Sequence, residues 1–132
     1  MSVKINTKEK FSVVQPDMAV LSDNLTDDLI NTCLSCLDKA PKNVVLNLEN
    51  IASISDEAAS KIVELQQKFY DNNASFVICC VQEAVEEQLD KMELLELMNT
   101  TPTESEAWDI VQMEEIEREL LDSDDVEFEQ NN

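Results

Sequence analysis

None of the 132 residues is glycine and none is histidine. An ordinary chain of this length carries roughly nine glycines. Without them no phosphate-cradling loop of the Walker or dinucleotide-binding type can be written. Every turn has to be made by Asn, Asp, Ser, Pro or Lys, and Asp71-Asn72-Asn73 and Lys42-Asn43 are the expected left-handed substitutes. The missing histidine removes the commonest general base and metal ligand. Basic residues are scarce as well: 9 Lys and Arg against 29 Asp and Glu leave a formal charge of −20. Nucleic acid and anionic lipid both require the opposite balance, so neither is an expected partner. No apolar run is long enough to cross a bilayer, which argues against membrane insertion. The start, Met1-Ser2-Val3-Lys4-Ile5, lacks the apolar core of a secretory signal. A cytoplasmic location is therefore expected, with Cys33, Cys36, Cys79 and Cys80 reduced.

What is present reads as a single domain over residues 1–121. Val3 to Ile5 and Phe11 to Gln15 form a hairpin pattern around Lys8-Glu9-Lys10, closed by Pro16, and Met18 to Leu21 is a third extended piece. Ser22 or Asp23 then caps a helix to Lys39, with Leu25, Leu29, Ile30, Cys33, Leu34 and Leu37 on one face, and Pro41 stops it. Val44, Val45, Leu46 and Leu48 are the apolar run of a strand covered on both faces. Ser55 and Asp56 are N-cap residue types, and the helix they open, to about Asp71, carries Ala59, Ile62, Val63, Gln66, Phe69 and Tyr70 on one stripe. Ser75 to Val81 is a further strand, Gln82 to Lys91 a helix bearing Ala84, Val85 and Leu89, and Leu97 to Thr100 a short last strand. Thr103 with Glu106 is a capping box opening a final helix with Ala107, Ile110, Val111 and Leu120 inward. Strands alternating with helices at this spacing predict an α/β fold, a mixed and mainly parallel sheet packed with α-helices. Residues 122–132 are carboxylate-rich with little to bury, the composition of a disordered acidic tail.

A buried strand running through a loop into a capped helix is where α/β proteins commonly place a site. That stretch, Val44-Val45-Leu46-Asn47-Leu48-Glu49-Asn50-Ile51-Ala52-Ser53-Ile54-Ser55-Asp56-Glu57-Ala58, resembles the STAS domain, the family of anti-sigma-factor antagonists and sulphate-transporter tails. Val45-Leu46-Asn47-Leu48 falls at the family's strand end and Ser55-Asp56-Glu57-Ala58 occupies the place of its Asp-Ser-Ser-Gly tetrad. The similarity in element order extends from about Phe11 to about Leu120. Three departures stand out: Asn47 replaces the usual Asp, Ala58 the Gly, and Asp56 occupies the place of the serine phosphorylated in switching members. The resemblance implies a regulatory protein-interaction module whose docking segment contains Ser53, Ser55, Asp56, Glu57, Ala58 and Ser60, within a loop and helix at residues 53–70. Its implied partner is an anti-sigma factor or a similar regulatory ATPase domain, and its loop charge is not switched by serine phosphorylation at the usual position. A STAS-type accessory subunit of a transporter ATPase is the alternative, and an enzyme with an unrecognised site a remoter one.

Other motifs point to no chemistry. Cys33-Leu34-Ser35-Cys36 has redox or zinc spacing, but it falls mid-helix, away from the N-terminus that activates a thiol. Cys79 and Cys80, adjacent on a strand, are expected to face opposite ways and so to supply no second ligand pair. The four read as small buried apolar residues. The carboxylate pairs Glu86-Glu87, Glu114-Glu115 and Asp124-Asp125 read as solvated faces and tail. Trp108 is expected to pack on the domain edge rather than anchor a partner, and Met92, Met98 and Met113 to fill core or rim. No catalytic residue, cofactor or metal is predicted.

Overall fold

The computed structural model describes residues 3–131, with side chains described through Leu121. Seven strands and four helices follow in the order β1 (Val3–Thr7), β2 (Phe11–Pro16), β3 (Val20–Leu21), α1 (Asp23–Ser35), β4 (Asn43–Asn47), β5 (Ser53–Ile54), α2 (Asp56–Asp71), β6 (Phe76–Cys79), α3 (Glu83–Lys91), β7 (Thr100–Thr101) and α4 (Glu104–Asn131). The main sheet has the order β1-β2-β4-β6-β7. The β1–β2 hairpin is antiparallel, and the pairs β2–β4, β4–β6 and β6–β7 are parallel. The predicted mixed, mainly parallel α/β sheet is therefore what forms. β3 and β5 pair separately, in parallel, with Val20 opposite Ser53 and Leu21 opposite Ile54.

Strand alternation sorts the core into two layers. Val14, Val44, Leu46, Phe76 and Ile78 face α1, α2 and α3, where they meet Leu29, Cys33, Ile62, Phe69, Val85 and Leu89. Phe11, Val13, Val45, Val77 and Cys79 face the other way, onto Ala107 and Val111 of α4. Both faces of β4 are thus covered, which is why its five residues are all buried.

Several boundaries differ from the sequence reading. α1 ends at Ser35 and tightens into a 3-10 turn over Cys36–Asp38, so Cys36 lies at the helix's C-terminal end rather than mid-helix. On α2 the buried residues are Ala58, Ala59, Ile62, Leu65 and Phe69, while Val63 and Tyr70 sit at the rim. Ala84 is exposed. Leu95–Leu97 is a 3-10 turn, and the last strand is the two-residue β7 beyond it. Leu120 is 54% exposed, not inward, because α4 passes beyond the sheet's apolar face after Val111. Met98 is buried, Met92 packs at the rim, and Met113 is exposed. The acidic tail expected after Leu121 lies outside the described side chains.

With no glycine available, left-handed backbone falls to Asn73 (φ 60°), Cys80 (φ 62°) and Glu93 (φ 61°). Asn73 was foreseeable from its neighbours. Asn43 instead lies in β4, paired with Phe11. The turn at Cys80 also overturns the expected opposition of the two cysteines: once the strand ends, Cys80 packs with Cys79 on the α4 side.

Candidate functional site

The segment at residues 53–60 is built where β3 and β5 deliver the N-termini of α1 and α2 to the same place. Ser55 has extended backbone and caps α2, its Oγ accepting a hydrogen bond from the Ala58 N–H at 3.1 Å. A serine cap of this kind stabilises a helix by about 1 kcal/mol. The same hydroxyl donates to Asp23 Oδ1 at 2.7 Å, tying the first turn of α1 to that of α2. Ser55 N–H reaches the Leu21 carbonyl at 3.3 Å, and Ile54 N–H reaches Gln88 Oε1 of α3 at 3.1 Å. Lys61 Nζ bridges to Asp27 at 2.8 Å one turn further along. The loop is consequently held by backbone and side chain from three helices.

Its electrostatics are negative. Asp23, Asp56 and Glu57 gather at two helix N-termini, where carboxylates are favoured. The Ser55 hydroxyl beside Asp23 holds that carboxyl below the usual range, assisted by Glu57 and Lys61. Glu57 is pushed up, first by the hydrogen bond it shares with Asp23 on protonation and then by the Asp23 charge. The Asp27 carboxylate raises Lys61, which stays a fixed cation at neutral pH.

The sequence-predicted residues divide between surface and interior. Asp56, Glu57 and Ser60 are exposed, and Ser53 and Ser55 are half-buried. Ala58 is fully buried beneath them. Asp23 and Gln88 were not foreseen, since residues 32 and 34 positions away leave no local signal.

Asn47, two strand residues away from Val45 on the α4 face, accepts from the Glu49 N–H at 2.9 Å through Oδ1 and donates to Glu104 at 3.2 Å through Nδ2. An aspartate in this place could do the first and not the second. At the opposite end of β4, Asn43 donates to the Lys10 carbonyl (2.9 Å) and Glu115 (2.7 Å) and accepts from Ser75 N–H (2.8 Å) and Arg118 (3.4 Å). Two asparagines thus pin α4 antiparallel across β4.

Comparison with family models matches the STAS domain over residues 3–107. The chain belongs to the STAS domain family. Its solved structural relatives include a candidate anti-sigma factor antagonist from Thermotoga maritima (TM-score 0.74, 19% identity, covering 83% of this chain and 94% of that one). Others are an anti-sigma factor antagonist from Mycobacterium paratuberculosis (0.72, 14%, 84% and 93%) and the phosphorylated Bacillus cell fate determinant SpoIIAA (0.61, 12%, 83% and 99%). At these identities the likeness is one of fold. Comparison with curated protein sequences finds no match. For this STAS domain the resemblance drawn from residues 44–58 therefore holds for family and architecture.

The remaining motifs take their places around it. Cys33, Cys36, Cys79 and Cys80 are free thiols. Burial raises Cys33, Cys36 and Cys79 above the ordinary thiol range, the reverse of what a reactive cysteine needs. Among the described residues no cluster has the makings of a metal site, and no helix is long and apolar enough to cross a membrane. Trp108 departs from its expected packing: it is 41% exposed. With Lys8, Lys10, Phe11 and Gln112 it lines an open cleft of about 440 Å³ between the β1–β2 turn and α4.

Proposed function

We propose that this STAS domain is a non-enzymatic regulatory module of the cytoplasm that docks a protein partner through Ser53, Ser55, Asp56, Glu57 and Ser60, with Ala58 shaping the helix beneath. The partner class is an anti-sigma factor or a related regulatory ATPase domain, by likeness to anti-sigma factor antagonists. One observation carries the reading: exposed Asp56 and Glu57 open α2 beside Asp23, while the Ser55 hydroxyl is already engaged at 2.7 Å with the Asp23 carboxylate. The loop then holds its negative charge permanently. A phosphate on Ser55 would break the cap and face Asp23 and Glu57, so like-charge repulsion opposes it. Asp56 carries about one charge where phosphoserine carries nearly two, so the loop is a partial, unswitched counterpart of a phosphorylated one.

The test compares wild type with Asp56→Ser plus Ala58→Gly as baits in cytoplasm of the native organism, partners being quantified by mass spectrometry. Recovery of at least one partner is expected to change with the loop. Ala58→Gly costs about 0.5–1 kcal/mol of helix stability, so the variant stays folded for the comparison. Identical partner profiles from both baits would reduce Asp56 to a helix-terminal charge and remove the loop as the docking site.

A further inference from the structure

The family match ends at residue 107, and beyond it α4 is inverted. Its inward side after Val111 is polar: Glu114 accepts from Tyr70, Glu115 from Asn43, and Arg118 donates to Ser75. Its outward side is apolar, with Met113 62%, Ile116 55% and Leu120 54% exposed. Spacings of three and four residues put these three on one stripe about 10 Å long, two turns of helix. An amphipathic helix ordinarily turns its apolar stripe to the core. Here the core side is satisfied by hydrogen bonds, and the apolar stripe is left for something else.

We propose that this stripe is a docking surface for a basic amphipathic helix of a partner protein. Its borders supply the charge complement. Asp109 and Glu117 stand four residues before and after Met113, and Glu119 three after Ile116, all exposed and without a salt bridge among the described residues. A helix with apolar residues at matching spacing and Lys or Arg at its edges buries the stripe and meets these carboxylates. A second copy of this chain is the poorer occupant, because pairing α4 with itself sets the same carboxylates against one another on a protein of charge −20. The surface lies on the opposite side of the sheet from the loop at residues 53–60, so the inference stands whether or not that loop docks a partner.

The probe is a fluorescently labelled synthetic peptide of Leu and Lys at helical spacing, read by anisotropy against the full chain. Two controls are a scrambled peptide of the same composition and one with Glu for Lys. The patterned Lys peptide is expected to bind more tightly than the scrambled one, and the Glu peptide not to bind. Met113→Ser, Ile116→Ser and Leu120→Ser together should weaken binding at least about tenfold, since even one lost apolar contact is worth about that factor. Ile116→Gln alone, with its melting curve recorded, provides the folded variant if the triple change unfolds. Equal binding of scrambled and patterned peptides, or unchanged binding by Ile116→Gln, overturns the proposal by reducing the contact to charge alone. Sedimentation of wild type as a dimer that Ile116→Gln dissociates overturns it in favour of a second copy.

Discussion

Asn43→Ala is the perturbation whose cost can be worked most directly. Asn43 is 3% exposed and joins four hydrogen bonds that link β4 to β6, to the β1–β2 turn and to α4. Alanine leaves the Ser75 N–H, in a fully buried residue, with no acceptor, at about 1–3 kcal/mol. The Lys10 carbonyl, Glu115 and Arg118 are near enough to water to recover part of their loss, adding about 1 kcal/mol together. The sum is about 2–4 kcal/mol. Unfolding entropy of about 2.1 cal/mol/K per residue converts this to a fall in melting temperature of about 7–14 °C for a chain of this size. Urea and thermal unfolding by circular dichroism measure it, with exposed Asn50→Ala as a control expected within about 0.5 kcal/mol. A loss for Asn43→Ala as small as the control's, at unchanged urea slope, would show that α4 does not depend on this junction.

Asn47→Asp, which restores the residue usual in the family, should destabilise the domain by about 2 kcal/mol at neutral pH by setting a buried carboxylate against Glu104. The new group's folded pKa is raised, so its penalty fades as pH falls through that value; a deficit independent of pH would refute the charge explanation. Tyr70, the chain's one tyrosine, is pushed from 10.0 up to about 12 by burial and then by the Glu114 carboxylate. A raised folded pKa means its contribution is intact below pH 10 and lost as pH climbs to 12; phenolate absorbance should titrate near the upper value, and Glu114→Gln should lower it. Exposed Glu93, at φ 61°, should gain about 0.5–1 kcal/mol on replacement by glycine and nothing on replacement by alanine, read from chemical unfolding.

Features that repeat along the chain were legible without coordinates. Continuous apolar runs in Val44 to Leu46 and Phe76 to Cys79 marked buried strands, and Ser55 with its following carboxylates marked the start of α2. Features that depend on distant partners were not. Asp23 and Gln88 at the loop, and Glu104 and Glu115 at the ends of β4, are ordinary polar residues until the fold brings them together. Leu120 was misread for a related reason: its apolar character fits an inward position, but the sheet face that would receive it ends near Val111. Cys80 failed on the assumption that its strand continues, which the left-handed turn ends.

The left-handed residues Asn73, Cys80 and Glu93 have a consequence on the other side of the folding equilibrium. Glycine at those turns would relieve strain in the native chain, yet it would also enlarge the set of conformations open to the unfolded one. A chain with no glycine anywhere has a stiffer unfolded ensemble and gives up less backbone entropy when it folds. Part of this domain's stability therefore comes from states it leaves behind, and no contact in the folded molecule displays it.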